Sequence, residues 1–216
     1  KRQEVRVPLT LQYKHLGGII SYRCKMAPEI NARIAAAAGP HASLRKPLLS
    51  RDTIKTEAKA ITVNSDIISL LMYNAQTWTA LNQANIKALK GRFRAYAKSI
   101  LPTHIKENAD DMSEEELHGH AGTPLAEEDI TIRRLRFLGR LVDRNDPETA
   151  AIIALEHAAA PTTSWMSRVR DDLKWIKETL EGNEKLPDPE APGLWGDIIR
   201  DKTRWAKMIA EAGQTK

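Results

Sequence analysis

The chain has 216 residues, of which 42% are hydrophobic and 5% aromatic, and it carries a formal net charge of +5. This length and hydrophobic content favour a folded core over a disordered chain. No apolar run approaches the roughly 18 to 20 residues of a membrane span, and a single cysteine excludes an internal disulfide. We therefore expect a globular, intracellular protein with no membrane partner.

The charge is unevenly distributed along the chain. Residues 1–60 hold 12 Lys/Arg against 4 Asp/Glu, residues 61–108 hold 6 against 2, and residues 109–130 hold 8 acids with no Lys or Arg. Lys and Arg that neutralise phosphates release counterions, which favours binding. The basic front half therefore points to a polyanion partner, and a solvated basic face without a partner is the alternative.

A β-hairpin is expected within residues 1–22. Short apolar runs flank the pair Gly17 and Gly18, and glycine tolerates the positive φ that a tight turn needs. In the rest of the chain, alanine, leucine and isoleucine dominate over valine and phenylalanine, which favours helix over sheet. The predicted fold class is mainly α, with a short N-terminal hairpin followed by a helical bundle and a second helical subregion.

Residues 23–108 are expected to form the first helical bundle. Pro40 should kink or break the first helix, because an internal proline removes a backbone donor. Asp52 should cap a second helix, in which apolar residues recur at 3-to-4 spacing for about six turns. Asn82 should cap a third helix, which Pro102 ends.

The acidic part of the chain, residues 109–129, is interpreted as a connection with one short helix that Ser113 caps. Residues 130–216 are expected to form a further helical region, in which an extended Pro-rich linker occupies 186–193. The helices of this region are predicted at 130–144, 147–160, 164–180 and 195–212.

Two segments resemble motifs of one enzyme family. Residues 13–20 read Tyr-Lys-His-Leu-Gly-Gly-Ile-Ile, and residues 73–78 read Tyr-Asn-Ala-Gln-Thr-Trp. The first resembles the primer grip, a (Lys)-Tyr/Phe-Leu-Gly-x-x-Ile segment, of the reverse transcriptases of non-LTR (LINE-type) retrotransposons, with Lys14 and His15 set between Tyr and Leu. The second resembles the Tyr-Gly-x-Glu-Thr-Trp end of a thumb helix in these enzymes, with Asn74 in place of Gly and Gln76 in place of Glu.

A third segment, residues 133–144, reads Arg-Arg-Leu-Arg-Phe-Leu-Gly-Arg-Leu-Val-Asp-Arg. It resembles the Arg-Arg-Leu-Arg-Trp/Phe-Leu-Gly-His-x-x-Arg helix of the same family, with Arg140 where the family usually has His. The order of the three segments along the chain strengthens the resemblance beyond any single motif.

The resemblance implies that the chain is the C-terminal piece of such an enzyme, with the end of the palm at 1–22 and the thumb at 23–108. Its partners would be an RNA template, a DNA primer and the upstream palm and fingers of the same polyprotein, in the nucleus. The Mg²⁺ ions would belong to the missing palm, so the chain itself would need no cofactor. We expect it to grip the template–primer duplex and to be inactive as a polymerase when alone.

The resemblance also implies candidate contacts to nucleic acid. The hairpin residues that would hold the primer 3′ end are Lys14, His15, Leu16 and Gly17. The thumb residues that would lie along the duplex are Arg33, Arg45, Lys46, Arg51, Lys55 and Lys59. The later helix would add Arg133, Arg134 and Arg136. Such contacts would be to backbone phosphates and largely independent of sequence, whereas each side chain by itself is also compatible with a solvated helix face.

No catalytic or metal-binding residues are predicted. Residues 108–111 read Asn-Ala-Asp-Asp, but the metal-binding turn of a polymerase needs flanking strands and precedes the primer grip, whereas this string follows it and leads into a helix. His118 and His120 lack a third ligand. The tryptophans expected to anchor packing are Trp175, Trp195 and Trp205.

A second hypothesis is a stand-alone, non-enzymatic helical protein whose basic front half binds nucleic acid or an acidic protein partner. The sequence upstream of residue 1 distinguishes the two hypotheses. A strand, an aromatic-Ala-Asp-Asp turn and a second strand would favour the polymerase, and an unrelated domain would favour the stand-alone protein.

Overall fold

The computed structural model describes residues 10–15, 17–21, 23, 25–143, 164–180, 186–190 and 192–213. The protein is mainly helical, with one two-stranded sheet at its N-terminal end, so the predicted fold class is confirmed. The predicted helix at 147–160 and the candidate contact Leu16 lie outside the described residues. In the described part of the chain, no helix is long and apolar enough to cross a membrane.

The predicted hairpin is present. Strands β1 (Gln12–His15) and β2 (Gly18–Ser21) are antiparallel, with His15 opposite Gly18. Gly17 in the connection has a φ of +85°, a conformation that a side chain would strain. Of the two glycines, only Gly17 therefore supplies the turn, because Gly18 already belongs to β2.

The first helix continues through Pro40, so of the expected kink or break the break does not occur. Helix α1 spans Ala27–Leu44 with Pro40 inside it, and it continues into a π-helical turn at Arg45–Leu49. Proline deprives the carbonyl of the residue four positions earlier of its donor. That residue, Ala36, is exposed, so water can satisfy its carbonyl.

The second helix begins later than predicted and changes its winding. Helix α2 (Thr56–Thr62), a π-helical segment (Val63–Ile68) and helix α3 (Ser69–Leu71) follow one another without a gap. Asp52 does not cap α2, because its carboxylate accepts a hydrogen bond from the Thr103 hydroxyl at 2.7 Å. This long-range bond fixes the loop before α2, which carries two of the basic candidates.

Helix α4 spans Gln83–Ile100 and begins as predicted. The Asn82 side chain accepts a hydrogen bond from the Asn85 backbone N–H at 2.8 Å, which satisfies one of the free donors of the first turn. The helix ends two residues before Pro102. Both predicted ends of this helix are therefore confirmed.

Two short helices follow, α5 (Thr103–Lys106) and α6 (Glu114–Ala121). The Ser113 hydroxyl accepts from the Glu116 N–H at 3.1 Å, and the Glu116 carboxylate accepts from the Ser113 N–H at 3.0 Å. This is the capping box that the sequence predicts. Helix α6 packs against α4, so it belongs to the body of the bundle.

One unpredicted break lies in the described part of the C-terminal region. Asp201 interrupts the helix predicted at 195–212, because its side chain accepts from the Arg204 N–H at 3.0 Å and starts a new helix. The described helices of this region are α7 (Ala126–Asp143), α8 (Trp165–Leu180), α9 (Gly196–Arg200) and α10 (Lys202–Ala212).

Two hydrophobic clusters meet along α7. One is built from buried residues between positions 30 and 130, and the other from buried residues between positions 135 and 212. Trp195 and Trp205 are buried in the second cluster, as expected for packing anchors, and Trp175 packs against its edge. Helix α7 therefore holds the two helical subregions together.

Gly139 allows α7 and α10 to approach closely. A Cβ atom at this position would lie 2.8 Å from Cδ1 and Nε1 of Trp205, whose indole donates to the Leu135 carbonyl at 3.1 Å. Because that bond fixes the ring, we expect Gly139→Ala to destabilise the protein by about 1–3 kcal/mol, measured by urea unfolding. Gly91→Ala in α4 is the matched control, since its Cβ would meet nothing within 4 Å. It should be neutral or stabilise by up to about 1 kcal/mol, and equal losses at the two sites would contradict the close approach.

Candidate nucleic-acid interface

Two charged residues of α1 attach the hairpin to the helix. The buried Glu29 carboxylate accepts from the Ile19 N–H at 2.5 Å and from the Arg33 guanidinium at 2.7 Å. Arg33 in turn donates to the Gly17 carbonyl. Charge-assisted hydrogen bonds of this kind are stronger than neutral ones. The turn and the second strand are therefore held to one helix, in a fixed orientation.

The segment 73–78 packs against the same turn. The Arg33 guanidinium lies 4.7 Å from the centre of the Tyr73 ring, a cation–π contact. A Cβ at Gly17 would lie 3.3 Å from Cε1 of Tyr73, so the ring leaves little space for a side chain. The two segments that carry the family resemblance are thus neighbours in space, and Arg33 touches both.

Asn74 has a φ of +66°, the left-handed conformation. The resembling motif has glycine at this position, and glycine adopts such a φ without strain. Asn is among the few other residues that occupy the left-handed region readily. The replacement of Gly by Asn therefore keeps the backbone geometry of the segment.

The other side of the same segment contacts the C-terminal helices. The Trp165 indole of α8 donates to the Gln76 carbonyl at 2.7 Å, and its ring meets Phe137 of α7 edge to face at 6.0 Å. Trp78 is fully buried in the first cluster. Residues 73–78 therefore join the hairpin, the first bundle and the second helical subregion.

The free face of the hairpin is open to solvent. Lys14 and His15 are both exposed, and the His15 ring stacks on Tyr13 at a centroid distance of 5.9 Å. Tyr13 and Ile20, which pair across the strands, are also more than half exposed. The hairpin thus offers one cation and a small aromatic and aliphatic surface to a partner.

Four predicted thumb residues form what we call the basic ridge. Arg45 and Lys46 begin the π-helical turn after α1, and Arg51 and Lys55 lie in the loop before α2. All four are exposed, and none forms a salt bridge with another residue in the described part of the chain. These cations are therefore available to an external anion.

A residue that the sequence analysis left out of the site, Arg92, extends the ridge onto α4. Burial lowers the pKa of His41, and the charges of Arg45 and Arg92 lower it further. The His41 ring packs on Tyr96 at a centroid distance of 4.7 Å. The charges of both arginines therefore act on His41, so its pKa depends on the positive potential of this surface. The contact between α1 and α4 that creates this proximity has no local sequence signal.

Two predicted contacts have their side chains buried. Lys59 is 1% exposed because the spacing of α2 places it on the same face as Val63, and burial lowers the pKa of its ammonium group. Arg134 is 5% exposed, and its Nη1 donates to both carboxylate oxygens of Asp172 at 2.9 and 2.8 Å. Together with Arg33, which holds the hairpin, these residues have roles inside the protein and do not belong to the exposed surface.

Asp172, the partner of Arg134, is also buried, and the Thr131 hydroxyl donates to it at 3.1 Å. Burial raises the pKa of Asp172 to about 6, against the opposing effect of the Arg134 charge. The pair links α7 to α8 inside the second cluster.

Arg133 and Arg136 lie at a different surface, a cleft between α7 and the last two helices. Arg133 forms a salt bridge of 2.9 Å with Asp129, one turn earlier, and Arg136 is exposed. Apart from Arg33, Lys59 and Arg134, the predicted cationic contacts therefore fall into two groups, the basic ridge with the hairpin and this cleft.

The acidic string at 108–111 has a structural role. The Arg94 guanidinium donates to the carbonyls of Ala109 and Met112 at 2.8 and 3.1 Å, and Asp110 forms a salt bridge with Lys98 that lowers the pKa of its carboxyl. Within the described ranges, no group of three or more His, Cys, Asp or Glu side chains could hold a metal ion.

The two histidines of α6 have different surroundings. His118 is buried and bonded to the Thr123 hydroxyl at 2.8 Å, and burial lowers its pKa. His120 is exposed. The side chains therefore do not converge on one another.

No known protein family matches the chain, and no curated protein or solved structure is significantly similar to it. What the chain does must therefore follow from its own residues and their geometry.

Proposed function

We propose that this chain is the duplex-gripping part of a LINE-type RNA-directed DNA polymerase. The hairpin acts as the primer grip, the first bundle acts as the thumb, and the partner is an RNA template paired with a DNA primer. The contribution to the reaction is to position the primer terminus. The Mg²⁺ ions would be held by a palm that precedes the hairpin in the longer polyprotein.

The observation that carries the proposal is the arrangement of exposed cations about α1. The hairpin is attached near Arg33, and the basic ridge begins at Arg45, at the other end of the helix. Twelve residues at 1.5 Å per residue separate these points by about 18 Å along the axis. At about 3.4 Å per base-pair step this distance covers roughly five base pairs. One helix can therefore hold the primer end and the phosphates behind it.

The chemistry of the ridge also suits a nucleic-acid backbone. Its cations are exposed and unpaired among the described residues, so an incoming phosphate need not break an existing salt bridge. Each phosphate neutralised on a duplex contributes a slope of about −0.9 to the dependence of log K on log salt. The four ridge residues, together with Arg92 and Lys14, could neutralise between four and six phosphates.

The test is to bind a fluorescently labelled RNA–DNA primer–template to the chain between 50 and 200 mM salt and to measure anisotropy. We expect log K to fall with log salt with a slope of about −4 to −5. Binding that is absent, or that does not depend on salt, would overturn the proposal. A blunt hybrid of equal length is the comparison, and tighter binding of the recessed primer end is the result expected from the hairpin.

The pKa of His41 gives a local readout of the same complex. Because Arg45 and Arg92 lower this pKa in the free protein, phosphates that neutralise them will raise it in the complex. Binding then takes up protons, so affinity should increase as the pH falls below about 6.5. The measurement is an NMR titration of the histidines with and without duplex, with exposed His104 as the internal control. An unchanged His41 pKa in a saturated complex would remove the ridge from the interface.

A further inference from the structure

The charged side chains that line the cleft between α7 and α10 are positive. Its volume is about 650 Å³, and among the described residues no carboxylate lines it. Its cationic lining side chains are Arg133, Arg136, Arg140 and Lys202. This concentration of positive charge in a concave site is suited to an anion, because low-dielectric walls strengthen the local potential.

The arginines of the cleft lie on one face of α7. Arg133, Arg136 and Arg140 are spaced three and four residues apart, which brings neighbouring Cβ atoms to about 5–6 Å, and like charges at this spacing repel one another. Arg133 is paired with Asp129, and the Arg140 guanidinium lies 5.8 Å from the centre of the Phe137 ring. Arg136 forms no salt bridge with a described residue. The cleft therefore retains net positive charge that a bound anion would neutralise.

The base of the cleft is closely packed. Ile199, Trp205 and Ile209 line it and are buried in the second cluster. The Trp205 ring is fixed by its hydrogen bond to the Leu135 carbonyl and by its contact with Gly139. The arginine guanidinium groups therefore lie above a packed surface. Because this surface need not rearrange, the entropy cost of binding is lower.

We infer that this cleft binds the phosphates of a single-stranded segment of nucleic acid, at a site separate from the basic ridge. Its volume lies in the range of pockets that enclose small ligands, so a few nucleotides can enter it and a duplex cannot. Guanidinium groups bind phosphate oxygens through two parallel hydrogen bonds. The identity of the polyanion as nucleic acid rests on the proposed function. The preference for a single strand follows from the size of the cleft.

The test compares two doubly substituted proteins that lose the same charge. Arg136→Gln with Arg140→Gln removes two exposed cations of the cleft. The matched control is Lys174→Gln with Lys207→Gln, two exposed lysines that each face a glutamate one turn away, at 3.8 and 3.6 Å. Thermal melting establishes that both variants fold. The probes are a labelled ten-nucleotide oligouridine and an RNA–DNA hybrid of the same length, measured at 0.1 M salt.

We expect the cleft variant to bind the oligouridine about 25-fold more weakly at 0.1 M salt. This factor follows from the loss of two phosphate contacts, each of which contributes about 0.7 to the slope of log K against log salt for a single strand. The control should change this affinity by less than about twofold, and hybrid binding should be nearly unaffected in both. An equal loss in the control, an equal loss of hybrid binding, or no loss of oligouridine binding would each overturn the inference. If the proposed function is wrong, the unsubstituted chain will not bind the hybrid, so the two failures can be distinguished.

Discussion

Replacing Asp172 with alanine is expected to destabilise the protein by about 3–5 kcal/mol. Asp172 and Arg134 are both buried, and two hydrogen bonds of 2.9 and 2.8 Å join them. Without the carboxylate, the guanidinium would remain in the second cluster as an unpaired charge, and its Nε already has no hydrogen-bond partner among the described residues. The free energy of unfolding, obtained from urea titrations, measures the loss.

Two further variants separate the buried charge from other effects. Asp197→Ala also removes an aspartate that is paired with an arginine, Arg200, but this pair is exposed and should contribute less than about 1 kcal/mol. Arg134→Met with Asp172→Leu replaces both charges with apolar groups and should recover most of the stability. If Asp172→Ala costs no more than Asp197→Ala, the buried pair does not hold α7 to α8.

The three arginines of the motif at 133–136 show what a sequence resemblance can and cannot determine. Helical periodicity places Ile132, Leu135, Leu138 and Val142 on one face, and all four pack in or against the second cluster. Arg134 also lies one turn from Leu138 and from Ile130, so its position on the buried face could be read from the spacing. Its partner Asp172 lies 38 residues later. The pairing with Asp172 permits an arginine at this buried position, but no local sequence pattern reveals it.

The local features of the fold could be predicted because the interacting atoms are close in sequence. The turn at Gly17 and the capping box at Ser113 each depend on residues within four positions. Two of the errors depend on surroundings that the local sequence pattern does not show. Asp52 was available as a helix cap, but it bonds instead to Thr103, and α1 continues past Pro40 because its surroundings tolerate the lost donor.

In the candidate site, too, some residue positions could be predicted from the local sequence and others could not. Exposed cations in short connections, such as Arg51 and Lys55, stay at the surface because no helix face directs them inward. Arg33 lies four residues after Glu29, a spacing that predicts an ion pair and that marks Arg33 as a structural residue. Arg92 joins the ridge only because α4 packs beside α1, so only the tertiary structure places it there.

Removal of the whole basic ridge is expected to have the largest effect on binding. A variant with glutamine at the four ridge positions, Arg45, Lys46, Arg51 and Lys55, should bind a primed RNA–DNA duplex roughly 10³-fold more weakly at 0.1 M salt. The slope of log K against log salt should become less steep by about 3.6, because four phosphate contacts are lost. Fluorescence anisotropy across a salt series gives both quantities.

The matched control removes the same number of exposed cations from the C-terminal helices, as Lys174→Gln, Arg200→Gln, Arg204→Gln and Lys207→Gln. Both variants lower the formal net charge from +5 to +1. A protein that attracts nucleic acid only through its overall charge would lose affinity equally in the two variants, which would contradict a localised duplex site. If only the ridge variant loses affinity, and its salt slope falls with it, the duplex lies against α1 and α2. The hairpin that Arg33 anchors then lies about 18 Å from those phosphates along α1, which corresponds to roughly five base-pair steps.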